Sequence, residues 1–206
     1  MNMLKNEGEI RKRARNTFAG HVAKLKVNDN NMVVIDWSDK ESSLLYNIQF
    51  VIDKARGVLC IYGDYGCCIS SWGNELTVKN LVNYVQNIVY WVGKFMAASD
   101  MYSYNINDVK ADLLELKEYY LSIAEDLDKS VDEINENFDD ILIYFEDEWV
   151  AGEYYPADAV EIIEEYEPDW SESSWATVGR KVNDRVFIWS EGLRMAYEQL
   201  KEVLDV

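Results

Sequence analysis

Between Ser71 and Thr77 the apolar residues of this chain stop recurring at every second position and begin recurring at every third and fourth. This change of period restricts the fold more than any other feature. Alternation puts successive side chains on opposite faces of a strand, whereas spacings of three and four line one side of a helix. Before the change, Met32–Trp37 is short and β-branched, and Ser38–Ser43 is a polar break. Leu45–Ile52 alternates in part. Arg56-Gly57 offers a tight turn into Val58–Tyr62, and Gly63-Asp64-Tyr65-Gly66 offers another into Cys67–Trp72, because glycine tolerates the positive φ such turns need. Connections this short join only antiparallel neighbours. Residues 32–72 therefore predict an antiparallel meander of three to four strands.

Residues 77–206 predict helices. Leu81, Val85, Ile88, Val92 and Phe95, with Val82, Val89 and Met96 alongside, make a first helix apolar on most sides, as a core helix is. A second opens at Asn107-Asp108 with the stripe Val109, Leu113, Leu116, Tyr120, Ile123 and Leu127. Ser130-x-x-Glu133 is a capping box, in which serine and glutamate side chains satisfy free amides reciprocally. The helix it starts presents Ile134, Phe138, Ile141, Leu142, Phe145 and Trp149. Pro156 suits the first turn of a further helix that ends before Pro168. Asp169–Gly179 reads as a loop, and Asn183–Leu204 as the last helix. A short helix over 8–20, with Ile10, Ala14 and Phe18 on one side, precedes the sheet. The expected architecture is α+β: one domain spanning 1–206, a small antiparallel sheet packed on about five helices. With 206 residues, 49% of them hydrophobic and 13% aromatic, the chain has material for such a core and is not intrinsically disordered.

Charge is distributed unevenly. Residues 101–170 hold 22 acidic and 3 basic side chains, net −19, while the whole chain is −18. On a helical wheel, the apolar residues of 130–148 fall in an arc of about 100°, and Asp132, Glu136, Asp139, Asp140, Glu146 and Asp147 fall in about 120° on the far side. Six carboxylates over a rise of about 28 Å give one charge per roughly 5 Å, against a phosphate every ~3.4 Å of one DNA strand. The preceding helix adds Asp112, Glu115, Glu118, Glu125 and Asp126 away from its apolar stripe. If the two faces align, together they approach a nucleic-acid backbone in charge density. Such a face costs stability, since like charges at i,i+4 repel, and only Lys110, Lys117 and Lys129 relieve it. A plain solvated face accounts for the same charges. These residues are the candidate partner-binding set, with Tyr119, Tyr144, Tyr154, Tyr155, Trp170 and Trp175 as candidate anchors.

The same charge argues against direct contact with nucleic acid. Glu9–Arg15 carries four basic residues, Arg11, Lys12, Arg13 and Arg15, which pair with the acidic block or else touch phosphate. The stretch Leu81–Ala98 is interrupted by polar residues and does not read as a membrane span. The polar, basic start has no apolar leader. With Cys60, Cys67 and Cys68 as the three cysteines, this predicts reduced thiols in a cytoplasmic protein, all three buried as small core residues. His21 is the sole histidine and reads as a surface or packing residue. No nucleotide-binding, metalloprotease or hydrolase motif is present, so no catalytic residue, metal or cofactor is nominated. Backbone exposed at the Gly63–Gly66 and Trp72–Asn74 turns is the alternative candidate site, suited to a small-molecule ligand or an enzyme active on one.

Two stretches, Ile61–Asn74 and Gly179–Trp189 running into Gly192–Leu200, resemble a family of uncharacterised proteins carried by phages and prophages of Gram-positive bacteria, over about residues 10–204. The resemblance implies action in the bacterial cytoplasm and carries over no catalytic residues. Small acidic phage proteins include inhibitors of host defences and anti-CRISPR proteins that mimic DNA. The expected function is therefore non-enzymatic inhibition of a basic host protein, such as a Cas nuclease, through the acidic surface. A phage accessory or assembly role is a further alternative.

Overall fold

The computed structural model describes residues 4, 6–41, 46–148 and 155–204. In chain order its elements are α1 (Glu7–Thr17), β1 (His21–Asn28), β2 (Met32–Asp39), β3 (Ile48–Asp53), β4 (Val58–Gly63), β5 (Gly66–Ser71), α2 (Val78–Gln86), α3 (Ile88–Val92), β6 (Phe95–Ala98), β7 (Tyr102–Tyr104), α4 (Ile106–Ser122), α5 (Val131–Glu148), α6 (Ala157–Tyr166), β8 (Arg180–Val182) and α7 (Asp184–Leu204). The class is α+β. The chain forms two compact units: Asn6–Met101 with Asn183–Val206, and Tyr102–Val182 together with Leu4. In sequence the second interrupts the first.

The first unit is a six-stranded antiparallel meander in the order β1 to β6. Register follows the period-two pattern. Val33, Ile52, Leu59 and Ser70 form one inward row, and Ile35, Phe50, Ile61 and Cys68 the next; all eight are buried. Helix α7 packs against β1, β2 and β3 and against α1 and α2. At Gly192 the helix lies close against its neighbours: a Cβ there would stand 3.3 Å from Phe18 and 3.4 Å from Phe50, so the helix tolerates a poor helix former in exchange for contact with the sheet. At the β3–β4 turn Gly57 has φ +60°, and a Cβ would meet the Asn74 carbonyl oxygen at 2.1 Å.

Three expectations need correction here. The sheet has six strands rather than three or four, because His21–Asn28 and Phe95–Ala98 join at its edges and hydrogen-bond to β2 and β5. Among the described residues there are seven α-helices rather than about five. The expected continuous helix from Thr77 to Phe95 breaks at Asn87, which is extended (φ −86°, ψ 91°) and whose side chain caps α3 by accepting from the Tyr90 N–H at 3.1 Å. Asparagine favours this competing local bond over helix continuation. Similarly, α4 stops at Ser122, and Ile123 and Leu127 lie in turns beyond it. Leu45 and Trp149 lie outside the described residues.

The cysteines also differ from the expected uniform burial. Cys68 is buried, Cys60 half-buried and Cys67 exposed, with its sulfur 3.3 Å from Ser99 Oγ. Burial pushes the Cys68 thiol far above the ordinary range; burial, with the Asp53 charge second, raises Cys60. Reactivity follows the exposed thiolate. In the native protein at pH 8, a chromogenic disulfide reagent should therefore modify one thiol about tenfold faster than the other two, and Cys67→Ser should remove that phase.

Candidate functional site

The division into units is also a division of charge. Residues 102–182 hold 23 acidic and 5 basic side chains, net −18, whereas 6–101 with 183–206 hold 15 and 14, net −1. Among the described residues, the ion pairs of the α1 arginines lie within their own unit rather than with the acidic block. Arg11 and Arg15 reach Glu191 of α7 at 3.0 and 3.4 Å, Arg13 reaches Asp184 at 2.7 Å, and Arg11 also bonds Glu7. These partners all belong to the sheet unit.

Within the acidic unit, α4, α5 and α6 pack around Leu113, Phe138, Ile141, Phe145 and Ile163, with Trp175 from the following loop. Ion pairs fix which edges meet. Lys117 bonds Asp139 at 3.0 Å and Lys110 bonds Glu146 at 2.5 Å, so α4 and α5 run antiparallel and those two candidate carboxylates face a lysine row. On the other edge of α5, Lys129 bridges Glu133 (2.7 Å) and Glu165 of α6 (3.1 Å). Hydrogen bonding to Glu133 holds the Lys129 ammonium above its usual range and, reciprocally, the Glu133 carboxyl below its own. Glu133 thus turns to Lys129, so the capping box is completed in one direction, by the Glu133 N–H donating to Ser130 Oγ at 3.1 Å.

Between those two edges Asp132, Glu136, Asp140 and Asp147 are exposed, and none pairs with a cation among the described residues. On α6, Asp158 lies on the same side as Glu165 and Glu161 turns outward by about 50°; all three are exposed. Glu165 is offset by Lys129, so the uncompensated carboxylates are those of the α5 row with Asp158 and Glu161 of α6. On α4, the lysines face α5 and Glu115 lies about 150° around the helix from them. Glu118 is exposed on the outer side, separated from the α5 strip by Lys110, Leu114 and Lys117. Glu125 and Asp126 are exposed in the turns after α4.

Asp112 is a clear correction. Expected on the surface, it is 4% exposed. It accepts from Lys181 Nζ at 2.7 and 2.8 Å and from the Gly179 N–H at 2.9 Å. The pair ties α4 to β8, which itself pairs with β7. Of the candidate anchors, Trp175 is buried and Tyr155 is half-buried with its hydroxyl donating to the Trp175 carbonyl. Trp170 and Tyr144 are half-buried, Tyr119 is exposed, and Tyr154 lies outside the described residues.

Sequence reasoning passed over two kinds of residue here. Ile143 (50% exposed) sits in the middle of the α5 acidic strip, and Leu114 (59%) lies beside the α4 lysines, so the surface is acidic with apolar points. The α6 carboxylates had a legible signal, since they surround the Ala159–Ile163 core spacing at three- and four-residue intervals.

At the Gly63–Gly66 turn the glycine and aspartate have local structural roles. Gly63 (φ +150°) lies where a Cβ would meet the Asn47 carbonyl oxygen at 2.0 Å. Asp64 accepts from the Asn47 N–H at 2.8 Å, and its own N–H donates to the Asn47 carbonyl at 3.0 Å. Its carboxylate thus anchors the turn to the chain entering β3. His21 is a buried packing residue, edge-on to Phe18 at 4.8 Å. Among the described residues no group of three His, Cys, Asp or Glu side chains could hold a metal, and no helix is long and apolar enough to cross a membrane.

No protein family, curated protein or solved structure matches this chain. What the protein does has to be read from its own charge and geometry.

Proposed function

We propose that this chain is a non-enzymatic inhibitor that presents its acidic unit to the basic nucleic-acid channel of a host defence protein, of the Cas nuclease type, in the bacterial cytoplasm. The observation that carries the reading is the segregation of charge: one unit bears −18 and the other −1, and the exposed row on α5 has no counterion among the described residues. A fold that needed only solubility would intersperse the two signs. Concentrating one sign along neighbouring helices raises repulsion within the unit, and a complementary basic surface relieves that repulsion on docking. The paired residues Asp139 and Glu146 contribute less, because their lysines already offset them.

The test uses a purified RNA-guided nuclease complex, its DNA substrate and the full chain. Inhibition of DNA binding should be strong at about 0.05 M salt and largely lost by about 0.5 M, where the screening length falls to a few ångströms. Replacing Asp132, Glu136, Asp140 and Asp147 by Lys should lower inhibition by at least about a hundredfold, with an unchanged far-UV spectrum, since four charges change sign along one face. Inhibition by this variant at the level of the parent protein would refute the reading.

A further inference from the structure

A second feature of the acidic unit lies on the side of α4 turned away from the α5 strip. A cavity of about 320 Å³ opens between α4 and the loop after α6, lined by Glu115, Tyr119 and Tyr120 on one side and by Glu167, Ser174 and Trp175 on the other. That volume is at the small end of ligand sites, enough for one long side chain. Its walls are aromatic and fixed. Tyr120 and Trp175 are buried, their rings lie 6.0 Å apart, and the Trp175 indole N–H donates to the Tyr120 hydroxyl at 3.1 Å. Tyr119 meets Tyr120 edge-on at 5.2 Å and remains 56% exposed, leaving a free aromatic face at the mouth.

Two glutamates from separate elements, Glu115 and Glu167, line the same space, and among the described residues no lysine or arginine pairs with Glu167. Burial raises the Tyr120 hydroxyl above its usual range; the Trp175 hydrogen bond opposes this and the Glu167 charge adds to it. Phosphates and carboxylate ligands are repelled by such a lining. A cation is attracted both by the negative faces of the rings and by the carboxylates.

We infer that this cavity receives the guanidinium group of an arginine side chain from a basic protein partner. The inference rests on the reading of the acidic unit as a docking surface and names a contact within it. Arginine fits better than lysine because a planar guanidinium stacks on an aromatic face while directing N–H groups to carboxylates in its plane. An ammonium is a compact, strongly hydrated point charge that does neither as well.

The experiment titrates the isotope-labelled full chain with N-acetyl-arginine amide, N-acetyl-lysine amide and the uncharged N-acetyl-citrulline amide, following the Trp175 indole N–H and the Tyr119 amide by NMR. The arginine derivative should shift both and bind about tenfold more tightly than the lysine derivative, with citrulline weaker still. Glu167→Gln should weaken arginine binding about tenfold, the scale of one charge-assisted hydrogen bond, and Tyr119→Ala about threefold, with the remaining resonances in place. Equal binding of citrulline, equal binding of lysine, or shifts confined to the α5 strip would each overturn the inference. The two proposals fail separately. The fourfold α5 lysine variant should keep arginine binding while losing inhibition, and Glu167→Gln should keep most of the salt-dependent attraction while weakening the arginine contact.

Discussion

Lys181→Met should destabilise the acidic unit by about 3–5 kcal/mol, the cost of leaving one member of a buried ion pair without its partner. Asp112 is 4% exposed and its carboxylate meets Lys181 through both oxygens. Removing the ammonium leaves that carboxylate with the Gly179 N–H and little access to water. The double variant Asp112→Asn/Lys181→Met distinguishes loss of charge balance from loss of packing. Asparagine keeps an acceptor for Gly179, no charge remains, and most of the lost stability should return, since replacing both members of a buried pair is often close to neutral. Urea unfolding followed by amide exchange in α4, α5 and β8 measures both. A double variant as unstable as Lys181→Met would show that the pair contributes through shape rather than electrostatics.

The second large effect is expected in the sheet unit at Glu191, which is 2% exposed on α7. Its carboxylate accepts from Arg11 at 3.0 Å and from Arg194 at 2.9 and 3.1 Å, with Arg15 at 3.4 Å. Gln86 and Ser190 complete the network, Gln86 donating to the Ser190 hydroxyl and carbonyl and that hydroxyl donating to the Val85 carbonyl. Burial acts to raise the carboxyl of Glu191, but the hydrogen bonds and charges of Arg194 and Arg11 together outweigh it and hold it below the usual glutamate range. A carboxyl lower in the folded than in the unfolded state adds stability that is complete above the unfolded value and is lost as pH falls through the folded one. Glu191→Ala should cost about 3 kcal/mol at pH 7, because the largely buried guanidinium of Arg11 loses its anion, while Arg194 and Arg15 are partly open to solvent. Glu191→Gln should cost less, and it should flatten the decline in stability of the parent protein below about pH 4.5, where carboxyls begin to protonate. Thermal melts between pH 3 and 7 decide this; an unchanged acid slope in the glutamine variant would assign the slope to other carboxyls.

These two clusters mark the limit of what residue patterns could reveal. In the sheet, the partial alternation of Leu45–Ile52 was legible, and Ile48, Phe50 and Ile52 turn inward; Met32–Trp37 read only as a short β-branched segment, and its pairing with β3 shows Val33, Ile35 and Trp37 as the buried set. Gly57 was legible as a turn because its backbone angle is a local property. The ends of α6, between Pro156 and Pro168, and the span of α7 were likewise readable from short-range signals. The edge strands were not. His21–Asn28 mixes lysines with apolar residues, and Phe95–Ala98 continues an apolar helical stripe; each becomes a strand because an existing edge offers it hydrogen bonds.

The acidic surface divides in the same way. Sequence alone determined that residues 101–170 concentrate negative charge, and it separated the polar from the apolar arc of α5, because both follow from spacing along one chain. Tertiary structure alone decided that Asp112 is buried against Lys181, sixty-nine positions away. It also decided that lysines line the α4–α5 seam, that α6 rather than α4 extends the open strip, and that Glu115 and Glu167 share a cavity with Trp175. The physical reason is that charge and periodicity belong to each segment, whereas burial and pairing depend on which segments meet. A helix can show which of its faces is polar, but not which carboxylates on that face another element will neutralise.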